Sequence, residues 1–435
     1  MNLYLRTVPA SGDGKIERDL PKRRQRKVFL YSHDTFGLGH LRRNLAIAQR
    51  LLEPRDRFSV YLLTGSPVIH KWRLPPGLHV QPLPPVVKVG VERYESRLEG
   101  ECFSLVKGYR EALILKLTLH HRPDIFLVDH SPAGMNGELL STLGLMRREM
   151  PDTRVMLGLR DILDSPDKVR ELWREQEVPA LLDQAYDDVL VYGSRALFDV
   201  VDGYGLTGRV AERVRYCGHV VAAAESDPVK RSEERPCWDS ARAAGRPVVL
   251  VTAGGGGDGF ALMEAYLRAV ERWPTGRFHS VVVTGPLMAP SQSAALHTLA
   301  AGRSDVELID YTTNLVPSLR AADLVVAMAG YNTSAEVIAA RKRAILAPRM
   351  SMRAEQKMRA RLLAGLGLVK AIEPGPGFAE ALVDAVPAAL ASPPPPPGAW
   401  DSLDLNGAER VAEYLGSLSP ASDVDGRLVL REFVA

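Results

Sequence analysis

The feature of this sequence that most constrains its fold is an apolar run that ends abruptly at a glycine. Residues 323–328 predict a strand that is buried on both faces of a parallel sheet. The run breaks at Ala329 and Gly330, and Thr333 with Glu336 has the spacing of an N-cap and its capping box. A strand, a tight turn and a helix N-terminus are therefore predicted, and the free amides of such a helix suit an anion such as phosphate. A purely structural capping box, with Glu336 folded back on its own helix, is the alternative.

A second polar turn follows directly along the chain. Residues 344–348 predict another short strand, residues 349–353 predict a loop, and Glu355 and Gln356 open the next helix. Parallel strands of an open α/β sheet bind ligands beyond their carboxyl ends. The polar groups that follow both strands are therefore expected to face one ligand.

The order of these residues resembles the donor-site signature of a known family. The signature runs from an aspartate through an Ala-Gly pair, a threonine and a glutamate to a proline and a Glu-Gln pair. It is similar to that of the peptidoglycan N-acetylglucosaminyltransferases, the MurG-like group of family 28, which are inverting transferases of the two-domain GT-B type. The resemblance covers residues 245–375 and the first fifty residues of the N-terminal half.

The resemblance implies a function and a set of binding residues. The protein would move a hexose or N-acetylhexosamine from a UDP-sugar to an acceptor hydroxyl. Glu336 would bind the ribose hydroxyls of the uridine nucleotide, while Glu355 and Gln356 would hold hydroxyls of the donated sugar. The full expected donor-binding set is Gly37, Gly39, Gly254, Gly255, Gly256, Gly330, Asn332, Thr333, Glu336, Glu355 and Gln356.

The N-terminal half opens with the pattern of a parallel crossover unit. Residues 27–31 predict a strand, residues 41–52 a helix and residues 58–63 a second strand, with a glycine-containing loop before the helix. The loop lacks the three glycines and the later acidic residue of a dinucleotide-binding fingerprint. A generic tight turn is one interpretation, and the resemblance implies instead that Gly37 and Gly39 face a cleft between domains.

Two series of strands and helices, separated by a charged segment, predict two doubly wound, Rossmann-like α/β domains that face a cleft. The predicted divisions are a lead-in at 1–24, an acceptor-side domain at 25–221, a linker at 222–245, a donor domain at 246–392, and a proline spacer with a final helix and tail at 393–435. In GT-B folds such a final helix returns to the first domain. The proline-rich residues 66–97 are interpreted as a long acceptor-side excursion.

Inverting transfer needs a base near the acceptor hydroxyl, and two histidines are suitably placed. His40 ends the glycine loop, and His130 follows the predicted strand that ends at Asp129. Asp129, which could orient a histidine ring, and Asp34 are further candidates. A histidine in such a loop is more often a hydrogen-bonding residue than a base, so both interpretations stay open.

No cofactor or metal is expected, because helix N-termini and loop amides can stabilise a departing diphosphate. The sequence has no Asp-x-Asp after a strand. Its three cysteines, Cys102, Cys217 and Cys237, form no Cys-x-x-Cys pair. Their spacing argues against a cysteine-based metal site and favours a reducing compartment.

The charge and hydropathy of the chain restrict its partners. A net charge of +3 from 55 basic and 52 acidic residues gives no support to nucleic-acid binding. No run reaches the ~18 apolar residues of a spanning helix, and the N-terminus lacks a secretory pattern, so a cytoplasmic protein is predicted. The basic run at 22–27 is interpreted as a solvated arm, with peripheral contact to anionic lipid as the alternative. The acceptor, a small molecule or a lipid-linked one, is not identified.

The same donor half would also serve other functions. A nucleotide-sugar 2-epimerase, a nucleotide-sugar hydrolase and a non-catalytic nucleotide-sugar-binding protein are the alternatives. UDP release that depends on an acceptor would indicate a transferase, and release without one a hydrolase. Interconversion of two sugar epimers would indicate an epimerase, and binding without turnover a regulator.

Overall fold

Two parallel β-sheets, one in each half of the chain, organise the structure, which is a computed structural model. It describes residues 24–34, 38–53, 57–90, 93–98, 100–221, 238–312, 315–350 and 354–419. The first half contains the strands β1 Arg26–Ser32, β2 Phe58–Thr64, β3 His79–Pro82, β4 Val86–Gly90, β5 Arg93–Ser96, β6 Ile125–Asp129, β7 Arg154–Arg160, β8 Asp188–Tyr192 and β9 Val214–Tyr216.

Seven of these strands form one sheet in the order β3-β2-β1-β6-β7-β8-β9, in which all neighbours are parallel. Strands β4 and β5 form a separate antiparallel pair. The proline-rich segment 66–97 therefore adds an edge strand and a hairpin to the first half. The helices of this half are α1 Gly39–Leu52, α2 Phe103–His121, α3 Leu140–Glu149, α4 Pro166–Glu175, α5 Val178–Ala185, α6 Val200–Tyr204 and α7 Gly208–Glu212.

The second half repeats this plan with six parallel strands in the order β12-β11-β10-β13-β14-β15. They are β10 Val248–Thr252, β11 His279–Val283, β12 Val306–Ile309, β13 Leu324–Met328, β14 Ala344–Ala347 and β15 Lys370–Ala371. The helices are α8 Asp239–Ala243, α9 Phe260–Glu271, α10 Pro290–Ala300, α11 Val316–Ala321, α12 Tyr331–Ala339, α13 Glu355–Gly365, α14 Phe378–Ala391, α15 Pro397–Trp400 and α16 Gly407–Ser417.

Both sheets are covered on both faces, as their uninterrupted apolar strands require. In β10, Val248 and Leu250 pack into one core and Val249 and Val251 into another. Strand β1 divides its side chains between two cores in the same alternating way. The predicted fold class, two doubly wound α/β units with parallel sheets, is confirmed.

The predicted capping box at Thr333 and Glu336 is wrong. Helix α12 begins at Tyr331, with Gly330 in extended conformation as its N-cap and no side-chain cap. Thr333 and Glu336 are therefore already inside the helix, where both are buried. Helix α1 likewise begins earlier than predicted, at Gly39, so His40 belongs to its first turn rather than to the preceding loop.

Several predicted segments lie wholly or partly outside the described residues. These are the lead-in up to residue 23, residues 222–237 of the linker and the tail from residue 420. The short helix α8 lies within the remainder of the predicted linker. The domain boundaries themselves stay predictions. Over the described ranges, no helix combines the length and apolar character needed to cross a membrane.

The last helix returns to the first half of the chain. Val411 and Leu415 of α16 share a core with Leu41 and Ile47 of α1. The guanidinium of Arg26 donates hydrogen bonds to the carbonyl oxygens of Leu415 and Leu418, at 2.9 and 2.7 Å, and so caps the C-terminus of α16.

The chain thus crosses between the halves twice, and the two crossings lie side by side. His219, on the first crossing, donates its backbone N–H to Asp404 on the second at 2.7 Å, and Gly407 donates to His219 at 3.0 Å. Gly218 has a φ of +82°, and a Cβ there would lie 2.7 Å from the carboxyl carbon of Asp404. Only glycine allows the two segments to approach so closely.

A buried ion pair also joins the halves. The guanidinium of Arg359 in α13 donates two hydrogen bonds to the carboxylate of Asp161, just after β7, at 2.7 and 2.9 Å. The same guanidinium donates to the carbonyl oxygen of Ala329 at 2.9 Å. Burial alone would raise the pKa of Asp161, but the charge of Arg359 outweighs it and the pKa lies well below its usual range.

Replacing Asp161 by alanine should destabilise the protein by about 3 kcal/mol or more, because it leaves a buried guanidinium without its partner. Thermal unfolding should show a clearly lower melting temperature. The double variant Asp161→Ala/Arg359→Met should recover much of the lost stability, because it removes both charges of the pair. The matched surface variant Glu264→Gln, which breaks an exposed pair with Arg268, should change the melting temperature little. A wild-type melting temperature for Asp161→Ala would contradict the role of this pair.

Candidate functional site

The carboxyl ends of both sheets open into one cavity of about 200 Å³ between the halves. Helix α1 and the end of β7 contribute His40, Arg42, Arg43 and Arg160 from the first half. The second half contributes residues from the turns after β10, β13 and β14. The cavity therefore lies where open α/β sheets bind their ligands.

Two predicted glycine positions bring backbone close to this cavity. Gly254 and Gly256 follow β10 with φ values of +67° and +87°, which side chains rarely adopt. A Cβ on Gly256 would collide with the carbonyl oxygen of Thr284, and one on Gly254 would lie 3.1 Å from the hydroxyl oxygen of Thr333. The turn that contains Gly255 thus packs directly against the next turn and the start of α12.

The N-terminus of α12 forms another wall of the cavity. Gly330, Asn332 and Thr333 all line it. The side-chain amide of Asn332 donates to the carbonyl oxygen of Gly39 at 3.1 Å, so this predicted donor residue also contacts the first half. Gly37, predicted beside Gly39, lies outside the described residues.

Glu336 is buried, and one of its carboxylate oxygens accepts a hydrogen bond from Arg42 of α1. The other oxygen, Oε2, is buried and has no hydrogen-bond partner among the described residues. Burial raises the pKa of this carboxyl, and the charge of Arg42 partly opposes the rise. Glu336 therefore does not fold back on its own helix, and it retains an unused acceptor.

The Glu355 and Gln356 pair is arranged in a similar way. Glu355 accepts a hydrogen bond from the side chain of Arg349, while its second oxygen is buried without a partner in the described part of the chain. The side-chain oxygen of Gln356 accepts from the backbone N–H of Arg349 at 3.0 Å. Arg349 also forms an ion pair with Asp258 at 3.2 Å. Each of the two predicted donor glutamates thus pairs one carboxylate oxygen with an arginine. Its other oxygen has no partner among the described residues, and a carboxylate oxygen can accept a hydrogen bond from a ligand hydroxyl.

Asp129 is the centre of a second network, in the first half. Its carboxylate accepts hydrogen bonds from Arg43 at 2.7 and 2.8 Å and lies 2.6 Å from Nδ1 of His40. Burial alone would raise the pKa of Asp129, but Arg43 and His40 outweigh that effect and lower the pKa to about 2. Asp129 is therefore charged at neutral pH, and it orients the ring of His40 rather than that of its neighbour in sequence.

The His40 ring is positioned to accept a proton. Its Nδ1 is engaged by Asp129, which leaves Nε2 as the nitrogen for a reacting group. Burial lowers the pKa of His40 below its usual value, and the nearby Asp129 only partly offsets this. The imidazole is consequently neutral at neutral pH, the form that a general base needs.

The other candidate bases occupy different surroundings. His130 has a φ of +74°, an uncommon conformation for a non-glycine residue, and its Nδ1 is buried without a partner among the described residues. The rings of His33, His40 and His130 cluster, with centroids 5.2 to 5.9 Å apart. Asp34 accepts a hydrogen bond from Thr64, and burial raises the pKa of its carboxyl.

The arginines of the site were missed by the sequence reasoning. Arg42 and Arg43 lie two and three residues after His40, and Arg160 and Arg349 stand at or just after strand ends, where charged residues can be found by inspection. Their carboxylate partners lie far away in sequence, and no local pattern reveals them. Within the described part of the chain, no group of three or more His, Cys, Asp or Glu side chains is arranged to hold a metal ion.

Residues 248–386 match the family model described as the glycosyltransferase family 28 C-terminal domain. The second half of the chain is therefore similar to a family 28 glycosyltransferase domain. No curated protein matches the chain significantly by sequence. The family 28 domain contains β10 to β15 and all of the predicted donor residues except Gly37 and Gly39, which belong to the first half.

Solved structures of the GT-B type resemble the whole chain at low sequence identity. MurG of Acinetobacter baumannii aligns with a TM-score of 0.55 at 12% identity, over 91% of this chain and 100% of that one. A UDP-glucosyltransferase of Polygonum tinctorium aligns with a TM-score of 0.54 at 17% identity, over 91% and 99%. A putative UDP-N-acetylglucosamine 2-epimerase of Listeria monocytogenes aligns with a TM-score of 0.56 at 14% identity, over 90% and 91%. The resemblance and the GT-B fold are confirmed, and together with the family 28 domain they support glycosyl transfer.

The histidine cluster makes the stability of the protein depend on pH. Burial lowers the pKa of His33, His40 and His130 in the folded state, whereas an unfolded histidine titrates near ~6.5. Below about pH 6.5 the unfolded chain therefore binds more protons, and stability present at neutral pH is lost as the pH falls.

We expect the melting temperature to fall between pH 7.5 and pH 5. His130→Asn should reduce that fall, because asparagine tolerates a positive φ and removes one titrating group. The control His297→Asn, at an exposed site in α10, should keep the wild-type dependence. Equal pH dependence in all three proteins would contradict the assignment to the cluster.

Proposed function

We propose that the protein is an inverting, metal-independent glycosyltransferase that moves a hexose or N-acetylhexosamine from a UDP-sugar to an acceptor hydroxyl. One observation carries the proposal. His40, which Asp129 orients, lines the same interdomain cavity as Gln356 and as Arg42 and Arg349, the arginines that pair with the buried carboxylates of Glu336 and Glu355. A base and a donor-sugar site on opposite walls are what this reaction requires.

The two glutamates indicate how the donor would lie. With the ribose at Glu336 and the sugar at Glu355 and Gln356, the diphosphate that joins them must pass between these residues. The backbone of Gly254 and Gly255 and the N-terminus of α12 line that region, and Arg42 and Arg349 hold positive charge there. Oriented amides and guanidinium groups can stabilise a diphosphate leaving group without a metal ion.

The proposed chemistry is a single displacement. The acceptor oxygen attacks the anomeric carbon of the sugar while the bond from that carbon to the diphosphate oxygen breaks. His40 takes the proton of the acceptor hydroxyl, and UDP leaves with the bonding electron pair. Asp129 remains ionised and stabilises the imidazolium that forms, as the third group of an oriented base. Attack opposite the leaving group inverts the anomeric configuration.

Product analysis tests the reaction class. Incubation with UDP-glucose or UDP-N-acetylglucosamine should release UDP only when a hydroxyl acceptor is present. Release without an acceptor would indicate a hydrolase, and a change in the sugar epimer alone would indicate an epimerase; either would contradict the proposal. A cytoplasmic location, with at most peripheral membrane contact, stays part of the proposal.

Glu336→Gln should weaken UDP binding at least about tenfold, because the neutral amide loses charge-assisted hydrogen bonds to the ribose. Isothermal titration calorimetry measures the affinity. The melting temperature of the free protein should move little, because the amide oxygen of glutamine can still accept the hydrogen bond of the partly exposed Arg42 and Glu336 does not cap its helix. Glu307→Gln, on the edge strand β12 outside the cavity, is the matched control and should bind UDP normally. Normal binding by Glu336→Gln would remove Glu336 from the donor site.

His40→Ala should lower turnover by ~10²–10⁴-fold while UDP affinity stays close to wild type, because a base acts on the acceptor. In the wild type, the rate should fall as the pH drops through a value below the ordinary histidine pKa of ~6.5, since protonated His40 cannot act as base.

His130→Ala is the control for this assignment. Near-normal turnover in His40→Ala together with its loss in His130→Ala would place the base at the Asp129–His130 strand end instead. Weaker UDP binding with a small loss of turnover in His40→Ala would mean that His40 only steadies the diphosphate.

A further inference from the structure

Five arginines lie in or beside the interdomain cleft, and four of them have a carboxylate partner. The paired ones are Arg42 with Glu336, Arg43 with Asp129, Arg349 with Glu355, and Arg359 with Asp161. Arg160, the last residue of β7, lines the cavity, but its side chain forms no hydrogen bond or ion pair with any residue that the structure describes. Its Nε is buried and has no acceptor there.

The surroundings of Arg160 make this unpaired charge unfavourable. Burial lowers the pKa of the guanidinium to about 10, Glu355 opposes the shift, and the positive charges of Arg43 and Arg359 add to it. The group still carries its charge at neutral pH. A half-buried charge without a protein partner is unfavourable, so a bound anion would compensate it.

Arg160 lies on the side of the cavity that carries the candidate base, although Glu355 is the charged group that most strongly affects its own pKa. Arg160 lies at the end of β7, next to β6. Its charge lowers the pKa of His130, and only the burial of His130 lowers that pKa more. It also contributes to the lowered pKa of His40. The diphosphate has its own proposed partners in Arg42, Arg349 and the turns of the second half. Arg160 therefore belongs to the part of the cleft where an acceptor would meet the base.

We propose that Arg160 binds an anionic group of the acceptor, a carboxylate or a phosphate, and so selects acceptors that carry negative charge near the attacking hydroxyl. This inference rests on the proposed function, because it takes the other arginines as the partners of the donor diphosphate. A planar guanidinium with several donors suits either anion.

The test uses the full chain and inorganic phosphate as the probe. UDP is first bound to saturation, so that the donor phosphate sites are filled, and phosphate is then titrated by calorimetry. The wild-type UDP complex should bind one phosphate, and Arg160→Gln should weaken that binding at least about tenfold. UDP affinity should be the same in both proteins. Arg154→Gln, at the opposite end of the same strand, is the matched control and should bind phosphate like the wild type.

The outcomes separate this inference from the proposed function. Failure of the wild type to bind UDP would contradict the proposed function. Normal UDP binding without phosphate binding to the wild-type complex would overturn the anion site alone, whether or not any variant folds. Phosphate binding that Arg160→Gln leaves unchanged would also overturn it. Weaker UDP binding in Arg160→Gln would assign the guanidinium to the donor diphosphate instead.

A melting temperature gives a further readout. Arg160→Met should melt no lower than the wild type, because it removes a half-buried charge without a protein partner. A marked fall in the melting temperature would show that the guanidinium has a structural partner, and would contradict the inference.

Discussion

The contact between the buried carboxylate of Asp161 and the guanidinium of Arg359 determines how the two halves face each other. Each half contributes only part of the cleft, so the distances across it depend on this pair together with the contacts of Arg42 with Glu336 and of Asn332 with Gly39. Arg359 also holds the carbonyl oxygen of Ala329, directly before the turn that starts α12. Its guanidinium carbon lies 5.8 Å from the ring centroid of Tyr331, whose hydroxyl accepts from the backbone of Val220 at 2.8 Å. The ion pair thus aligns the strand ends, the glycine turn and the crossing segment together.

The cleft contains several charged side chains that are paired with side chains of opposite charge. Carboxylates and guanidinium groups that would be costly alone are held in pairs, and several pairs keep one oxygen without a protein partner. Such an arrangement stays charged in a partly buried space, and it can exchange a protein contact for a ligand contact without leaving a charge exposed to apolar surroundings. Such a site would suit the proposed donor, which carries both neutral hydroxyls and a diphosphate.

Sequence alone was sufficient for the features that depend on local pattern. The apolar runs predicted the strands of both sheets, because strands covered on both faces have no polar alternation. Family resemblance brought together Glu336, Glu355 and Gln356, and the structure places them at neighbouring strand ends. The predicted N-cap at Thr333 failed, since Gly330 already allowed the helix to begin at Tyr331.

The charge network could not be predicted for a physical reason. Its partners are separated by long stretches of chain: Arg43 and Asp129 are 86 positions apart, and Asp161 and Arg359 are 198 positions apart. Pairing at that range is decided by the packing of whole sheets, not by the residues nearby. The same limit explains why the sequence could not decide which histidine ring Asp129 orients, whereas the structure places it against His40.

The paired crossings near Gly218 and Gly407 have a mechanical consequence. Two halves joined by a single chain segment can twist and separate freely. Two adjacent segments that are hydrogen-bonded to each other through His219 and Asp404 resist both movements. The motion that meets least resistance is a bend about the line where the two crossing segments pass each other. Because Arg26 fixes the end of α16 to the first half, that bend cannot be relieved by detachment of the last helix. A bend about this line would change the width of the cleft while its two walls stay aligned.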